Sequence, residues 1–446
     1  MRSFMISTFM VIFIIHCLPI NGQTIEQNQL PAVWNLEQCI AYSKQQNIQI
    51  NTLRLTTKST EQDLLLSKAA RYPNLLGNAS QTFTNAKNAD PVVGGFQTQS
   101  SFAGNYSLGS SMVLYNGGYL NNDIKQKELF TKSAQFNAEA AENDITIQIT
   151  QAYLTILLAK ENSIYLDEIV ETSNAQLKLG ELKYNAGSIA KKDYVLLKAQ
   201  LATDNYNLIA SQNSERQTIL TLKQLLQLPS GYNLNIQKPE TLEPNLPVVN
   251  LEEAQKTALE QRPEIKSSQI EKEAADLELQ KSKAGFLPTL SASGTLASGY
   301  SDNQSTPYPS QIDNNFYQRV GLSLSVPVFN NRITKTSVEK SKIAIDQSKL
   351  DLTNTETVLS QKVEQAYINV LNAQSQFTAA QEQLDANTEN YRIANEQLRL
   401  GGISTVDYLL EKNLYVQAFQ NFIQSKYNAV VSLKIYDFYK GDPIKL

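Results

Sequence analysis

An α+β fold made of two structural repeats is what this sequence predicts, and three observations carry the prediction. The chain matches itself at an offset of about 215 residues. A period-2 alternation of apolar and small polar residues precedes each of two very long helical stretches. Those stretches run for roughly 65 to 70 residues almost without proline or glycine, room for helices of about 100 Å.

The repeat sets the organisation. Shifted by 215, Ser67, Lys68, Ala69, Pro73 and Leu75 fall on Ser282, Lys283, Ala284, Pro288 and Leu290, and Leu36 and Glu37 fall on Leu251 and Glu252. Beyond about residue 106 the shift becomes 214, which pairs Gln151, Ala152 and Tyr153 with Gln365, Ala366 and Tyr367. It also pairs Gly187, Ile189, Asp193 and Tyr194 with Gly401, Ile403, Asp407 and Tyr408. A one-residue change of length is cheap in a loop. The expected division is a first repeat over 23–228, a proline-rich linker over 229–250, a second repeat over 251–441 and a tail over 442–446.

Each repeat opens on a helix that ends near Pro73 or Pro288. Strands are then expected over 75–86 and 100–115, and over 290–300 and 316–329. In the last of these Val320, Leu322, Leu324, Val326 and Val328 face one way, and Arg319, Gly321, Ser323 and Ser325 the other. The first repeat sets Phe102, Tyr106, Leu108, Met112 and Leu114 against Ser101, Asn105, Ser107 and Ser111. The connections AKNADPVVGGFQTQ and SDNQSTPYPSQIDNN read as polar loops.

Long helices follow over 117–184 and 331–399. Ala134, Ala138, Ala141, Ile145, Gln148, Ala152, Thr155 and Ala159 alternate steps of four and three, a heptad seam of mostly small side chains. Ile149, Tyr153, Ile156, Ile164 and Leu177 mark a second stripe, as a coiled coil with neighbours on two sides requires. YNAGSIAKKDY and LRLGGISTVDY then break both helices alike, with Gly187 and Gly401 suited to a left-handed helix end. Return helices are expected over 193–228 and 405–440. Ser404 followed by Asp407 fits a capping box, whereas Ala190 denies that cap to Asp193, whose carboxylate would act near the helix start.

Composition narrows the function. At 41% hydrophobic residues and a mean hydropathy of −0.32, the chain can bury apolar stripes but not one thick core. Its 39 Lys and Arg stand against 43 Asp and Glu, a net charge of −4, which excludes a binder of nucleic-acid phosphates. Residues 1–22 read as a cleaved secretory signal, with Arg2 before an apolar run from Phe4 to Ile15 that is too short to span a membrane. Bulky His16 before Cys17 argues against lipid attachment at that cysteine. Losing this segment removes the only histidine and leaves Cys39 alone. No histidine triad, histidine metal site or internal disulfide can form, so neither an enzyme nor a cofactor is expected.

An exported chain whose hairpins have one apolar face, with no second sheet to cover it, points to a transmembrane β-barrel. Phe102, Tyr115, Tyr300, Phe316, Tyr317 and Phe329 near the strand ends resemble an interfacial girdle. Lipid demands a closed sheet, and the four strands of one chain cannot close. Two copies would give eight strands and a filled interior; three give twelve and room for a pore. A barrel shared by a trimer is therefore expected.

At this point the sequence resembles the TolC family of outer-membrane efflux proteins, the outer membrane factors, over nearly all of the mature chain. The resemblance rests on Tyr184, Gly187 and Asp193, on Gly401 and Asp407, on the helix exits at Pro73 and Pro288, and on Tyr115-Asn116-Gly117-Gly118 with its counterpart Phe329-Asn330-Asn331-Arg332. It implies a homotrimer in the cell outer membrane, a barrel continued by an α-helical coiled-coil barrel across the periplasm. It further implies a passive conduit of a tripartite efflux or type I secretion system, docked to a periplasmic adaptor protein and an inner-membrane transporter. In the family a Gly-centred motif at each hairpin tip meets the adaptor, which assigns docking to Ala186, Gly187, Ser188, Ile189 and Ala190, and to Leu400, Gly401, Gly402, Ile403 and Ser404. Ser188 and Gly402 depart from the apolar residue usual after the glycine, and Lys191 and Lys192 make the first tip basic while the second is neutral. An acidic constriction known in parts of the family makes Asp385, Glu389 and Glu396 candidates for a tunnel gate. The competing expectation is an exported structural or adhesive coiled-coil protein with its strands as a soluble cap and no channel activity.

Overall fold

A computed structural model describes residues 30–89, 94–239, 242, 244 and 249–446. The signal segment, with His16 and Cys17, lies outside them. Helices α1 (Leu36–Gln46) and α2 (Ile48–Ala69) lead into strands β1 (Leu76–Ala89) and β2 (Phe96–Asn116), helix α3 (Tyr119–Asn185) and helix α4 (Lys191–Leu226). The second repeat follows with α5 (Leu251–Gln261), α6 (Pro263–Ala284), β3 (Thr289–Ser301), a short α7 (Tyr308–Asn314), β4 (Tyr317–Ser325), α8 (Ile333–Leu400) and α9 (Thr405–Lys440).

Three differences from the sequence pattern have local causes. The helix that opens each repeat is broken in two. Asn47 leaves the helical region and its Oδ1 accepts from the N–H groups of Gln49 and Ile50, restarting the chain as α2. In the second repeat Arg262 is forced extended before Pro263, which begins α6. The second difference is at the hairpins. Strands β1 and β2 continue into the expected loop, while the β3–β4 connection contains α7, held by Gln311, whose Oε1 accepts from Ser301 N at 2.8 Å. Third, β4 stops at Ser325, because its partner β3 begins at Thr289 and Pro327 follows without an N–H to give.

The sheet has the order β1-β2-β3-β4, antiparallel throughout, with β1 and β4 as its edges. After β2 the chain turns through two left-handed residues, Gly117 and Gly118, and after β4 through Asn331 and Arg332. Helices α3 and α8, of 67 and 68 residues, leave the sheet on courses of about 100 Å. Helices α4 and α9, of 36 residues each, return about half that distance alongside them. The half nearer the sheet is covered instead by α2 against α3 and by α6 against both long helices.

Burial concentrates where these two halves meet. Trp34, Leu36, Cys39 and Ile50 pack there with Ile145, Ile149, Tyr153 and Ile156 of α3, with Leu222 and Leu226 of α4, and with Ile423, Tyr427 and Val430 of α9. This belt is thicker than stripes alone. It is tied by a parallel bridge between Trp34 and Ile236, and by the hydroxyl of Tyr153, which donates to the carbonyl of Gln237 at 2.5 Å. Burial also pushes the Cys39 thiol up to about 12, so it stays protonated and inert. Of the small-residue seam, Ala138, Ala141 and Ile145 are buried within the chain, but Gln148 and Thr155 are exposed; Ile149, Tyr153 and Ile156 carry the packing, and Ile164 is exposed.

Candidate functional site

The two helical tips, at the ends of α3 and α8 farthest from the sheet, are the same turn built twice. At the first, Gly187 is left-handed (φ 73°), its N–H donates to Tyr184 O at 2.9 Å, and Ser188 N–H donates to Lys183 O at 2.8 Å. At the second, Gly401 has φ 77°, its N–H donates to Leu398 O at 3.3 Å, and Gly402 N–H donates to Gln397 O at 2.8 Å. These pairs of bonds close the last carbonyls of a helix around a left-handed residue, a Schellman end. Any side chain at Gly187 or Gly401 would be strained, so the two glycines are fixed by conformation. Ile189 and Ile403 are half-buried beneath the turns; Ala186, Ser188, Ala190, Leu400, Gly402 and Ser404 are exposed.

The starts of the return helices differ. Ser404 Oγ accepts from Asp407 N at 3.1 Å and gives its own proton to Asp407 Oδ2 at 2.7 Å, so the carboxylate meets the hydroxyl and not the backbone N–H of a standard box. Ala190 supplies no side-chain cap, and Asp193 stands in the first turn of α4. Tyr194 stacks on exposed Tyr184 with ring centroids 5.5 Å apart, whereas its counterpart Tyr408 is buried beside Tyr391. Charge differs as well. Lys178, Lys183, Lys191, Lys192 and Lys198 surround the first tip with only Glu181 and Asp193 among them, and among the described residues none of these seven joins an ion pair. The tyrosine pair went unrecognised in the sequence, although two aromatics ten residues apart across a tight turn were there to suggest it.

The candidate gate residues all lie exposed on α8. Glu389 receives both Nε and Nη2 of Arg392 at 2.8 Å, which holds its carboxyl below the usual range, and Glu396 receives Arg399 Nε at 3.0 Å. Asp385 accepts only from Gln381, at 3.0 Å. An arginine one turn on thus neutralises two of the three, which sequence spacing could have flagged and did not. Deeper in, Lys412 of α9 is buried against Asp204 of α4 at 2.6 Å and also donates to Ser173 of α3. Among the described residues no group of His, Cys, Asp and Glu is placed to hold a metal ion.

At the other end, the register sorts the sheet into two faces. Leu108 lies across from Leu296, and Met112 across from Ala292, which is across from Leu322. Phe102, Tyr106, Val320 and Leu324 share that face by alternation, as do Phe83, opposite Phe102, and Leu290. Leu114 sits at a bulge between Val113 and Tyr115, after which Tyr115 takes its place on the apolar face opposite Leu290. Val326 and Val328 lie beyond the end of β4, and Tyr317 falls on the polar face with Ser, Thr, Asn and Gly. Helix α7 meets this face at its outer end, where Tyr308 packs edge-on against Tyr300 and Ser298 donates to Ile312 O; on β4, Val320, Leu322 and Leu324 are 88%, 73% and 64% exposed. No helix among the described residues is long and apolar enough to cross a membrane.

A family model described as outer membrane efflux protein matches residues 39–227 and 255–434. The chain is 23% identical over 320 residues to outer membrane protein TolC of Escherichia coli (strain K12), spanning 66% of this chain and 62% of that one. It is 23% identical over 419 residues to toxin and drug export protein A of Aggregatibacter actinomycetemcomitans, 89% of each chain. Among solved structures, the Campylobacter jejuni CmeC outer membrane channel superimposes with a TM-score of 0.77 at 20% identity, over 91% of this chain and 85% of that one. The open state of the Neisseria gonorrhoeae MtrE outer membrane channel gives 0.73 at 18% identity, over 91% and 88%.

Proposed function

Because the chain belongs to the outer membrane efflux protein family, we propose that it is the outer-membrane channel of a tripartite efflux or type I secretion system. It is a passive conduit and not an enzyme. The observation that carries this is the apolar face of the four-stranded sheet, which α7 meets only at its outer end and which is otherwise exposed along β4, flanked by two unpaired edges. A soluble cap would bury that face, since each large side chain left in water forgoes about 1.5–3 kcal/mol. Lipid covers it instead, and three copies close twelve strands so that no edge is left open. The small polar side chains of the opposite face leave the interior free for passage. The long helices carry the passage from the outer membrane into the periplasm, where the tips meet an adaptor protein and, through it, an inner-membrane transporter.

Docking is assigned to the exposed parts of the two tips, with Gly187 and Gly401 setting the turn. Leu400→Glu and Gly402→Glu test this without touching the left-handed positions; Leu400 is exposed, and a Cβ at Gly402 meets nothing closer than 3.7 Å. Both variants should form trimers of normal stability and lose transport in cells by about tenfold or more, the effect of burying an unpaired charge at an interface. Normal efflux from either variant at wild-type trimer levels would remove the tips from the docking surface.

A further inference from the structure

The polar face of the sheet carries one charged side chain, and we infer that it makes the barrel lumen a binding site for multivalent anions. Strands β1, β2, β3 and β4 together contain no Asp or Glu; their only charged residues are Lys87 and Arg319. Lys87 is paired with Thr98 and alternates onto the face of Phe83, near the outer end of the hairpin. Arg319 is paired with Thr295, which is in turn paired with Gly109, on the polar face.

Its surroundings leave the guanidinium free. Arg319 is exposed, and among the described residues it joins no ion pair; its Cζ lies over the ring of Tyr317, 5.7 Å from the centroid. The flanking positions are small. A Cβ built at Gly109 meets nothing within 4 Å, and one at Gly321 meets only Ser293 Oγ at 3.7 Å. Of the carboxylates at the loop end among the described residues, Asp302 is occupied by the backbone N–H of Phe102 at 2.7 Å, and Asp313 lies in α7. The edge strand β1, which would adjoin β4 of a neighbouring copy, brings no acid to the seam.

This inference rests on the shared barrel proposed above. Threefold repetition places three Arg319 guanidinium groups around one polar lumen to whose wall the strands bring no carboxylate. Three fixed cations with five donors each attract and hydrogen-bond an anion of charge two or more far better than a monovalent one. The chain as a whole is acidic, so this ring runs against its net charge of −4.

The test is block of single-channel current by ferrocyanide, a tetra-anion, added to the extracellular side of trimers in planar bilayers at 0.1 M salt. Wild type should be blocked, Arg319→Gln should need about tenfold more blocker, and Arg319→Lys should stay within about twofold of wild type, as loss or retention of three partly screened charges dictates. Equal block of all three with normal conductance would overturn the anion site alone. Absence of conductance in wild type would overturn the conduit, and the site with it.

Discussion

Lys412 shows how much a single side chain holds together here. Its ammonium joins α9 to Asp204 of α4 and Ser173 of α3, and Gln200 completes the carboxylate by donating to its other oxygen at 2.9 Å. With both charges buried, removing one partner strands the other. Lys412→Ala should lower the unfolding free energy by about 3–5 kcal/mol, whereas Lys412→Met combined with Asp204→Leu should cost far less; thermal melts in detergent distinguish the two. At the opposite end Lys281 donates to Asp123 at 2.8 Å and to Gln126 at 2.7 Å, tying α6 to α3. Burial alone would raise the carboxyl of Asp123, but hydrogen bonds from Lys281 and Ser67 outweigh it and hold it below 3.8. A carboxylate depressed in the folded state stabilises fully above its ordinary value and ceases to do so as pH falls through the depressed one. Melting temperature should therefore drop below about pH 4, and less steeply in Asp123→Asn, the difference between the two pH profiles being the measurement.

Elements were legible in the sequence to the degree that they depend on local rules. Prolines, glycines and a period of 2 or 3.5 located β2, β3 and the long helices to within a few residues, and the Gly187 and Gly401 turns were readable because a left-handed helix end has few chemical solutions. What escaped depends on partners far away in the chain. Strand β4 is cut short by where β3 starts, and the bulge at Leu114 shifts the face of Tyr115, neither of which alternation can register. Lys412 corresponds by repeat to Lys198, but Asp204 corresponds to Ala418, so the buried ion pair has no echo in the other half of the sequence. Within the sheet, the ring of Tyr300 lies across Gly104, and a Cβ there would come within 2.4 Å of it. Gly104→Ala should reduce trimer yield and Tyr300→Ser should restore it in the double variant, as counted on non-boiled gels. No recovery would place the defect in the backbone.

For the whole molecule the open edges decide the assembly. Every N–H of β1 that points away from β2 needs a neighbour in lipid, so a proline scan along Leu76–Ala89 should fall into two classes. Prolines facing β2 should destabilise the subunit itself, and prolines facing outward should leave folded subunits that fail to form trimers, as read by crosslinking. The tips have a different consequence. Two repeats turned about a threefold axis give a crown of six fingertips in alternating kinds, and only one kind keeps loose cations. A collar of six identical hairpins would grip three fingertips through ions and three through packing, so that rising salt slackens every second grip while the others hold fast.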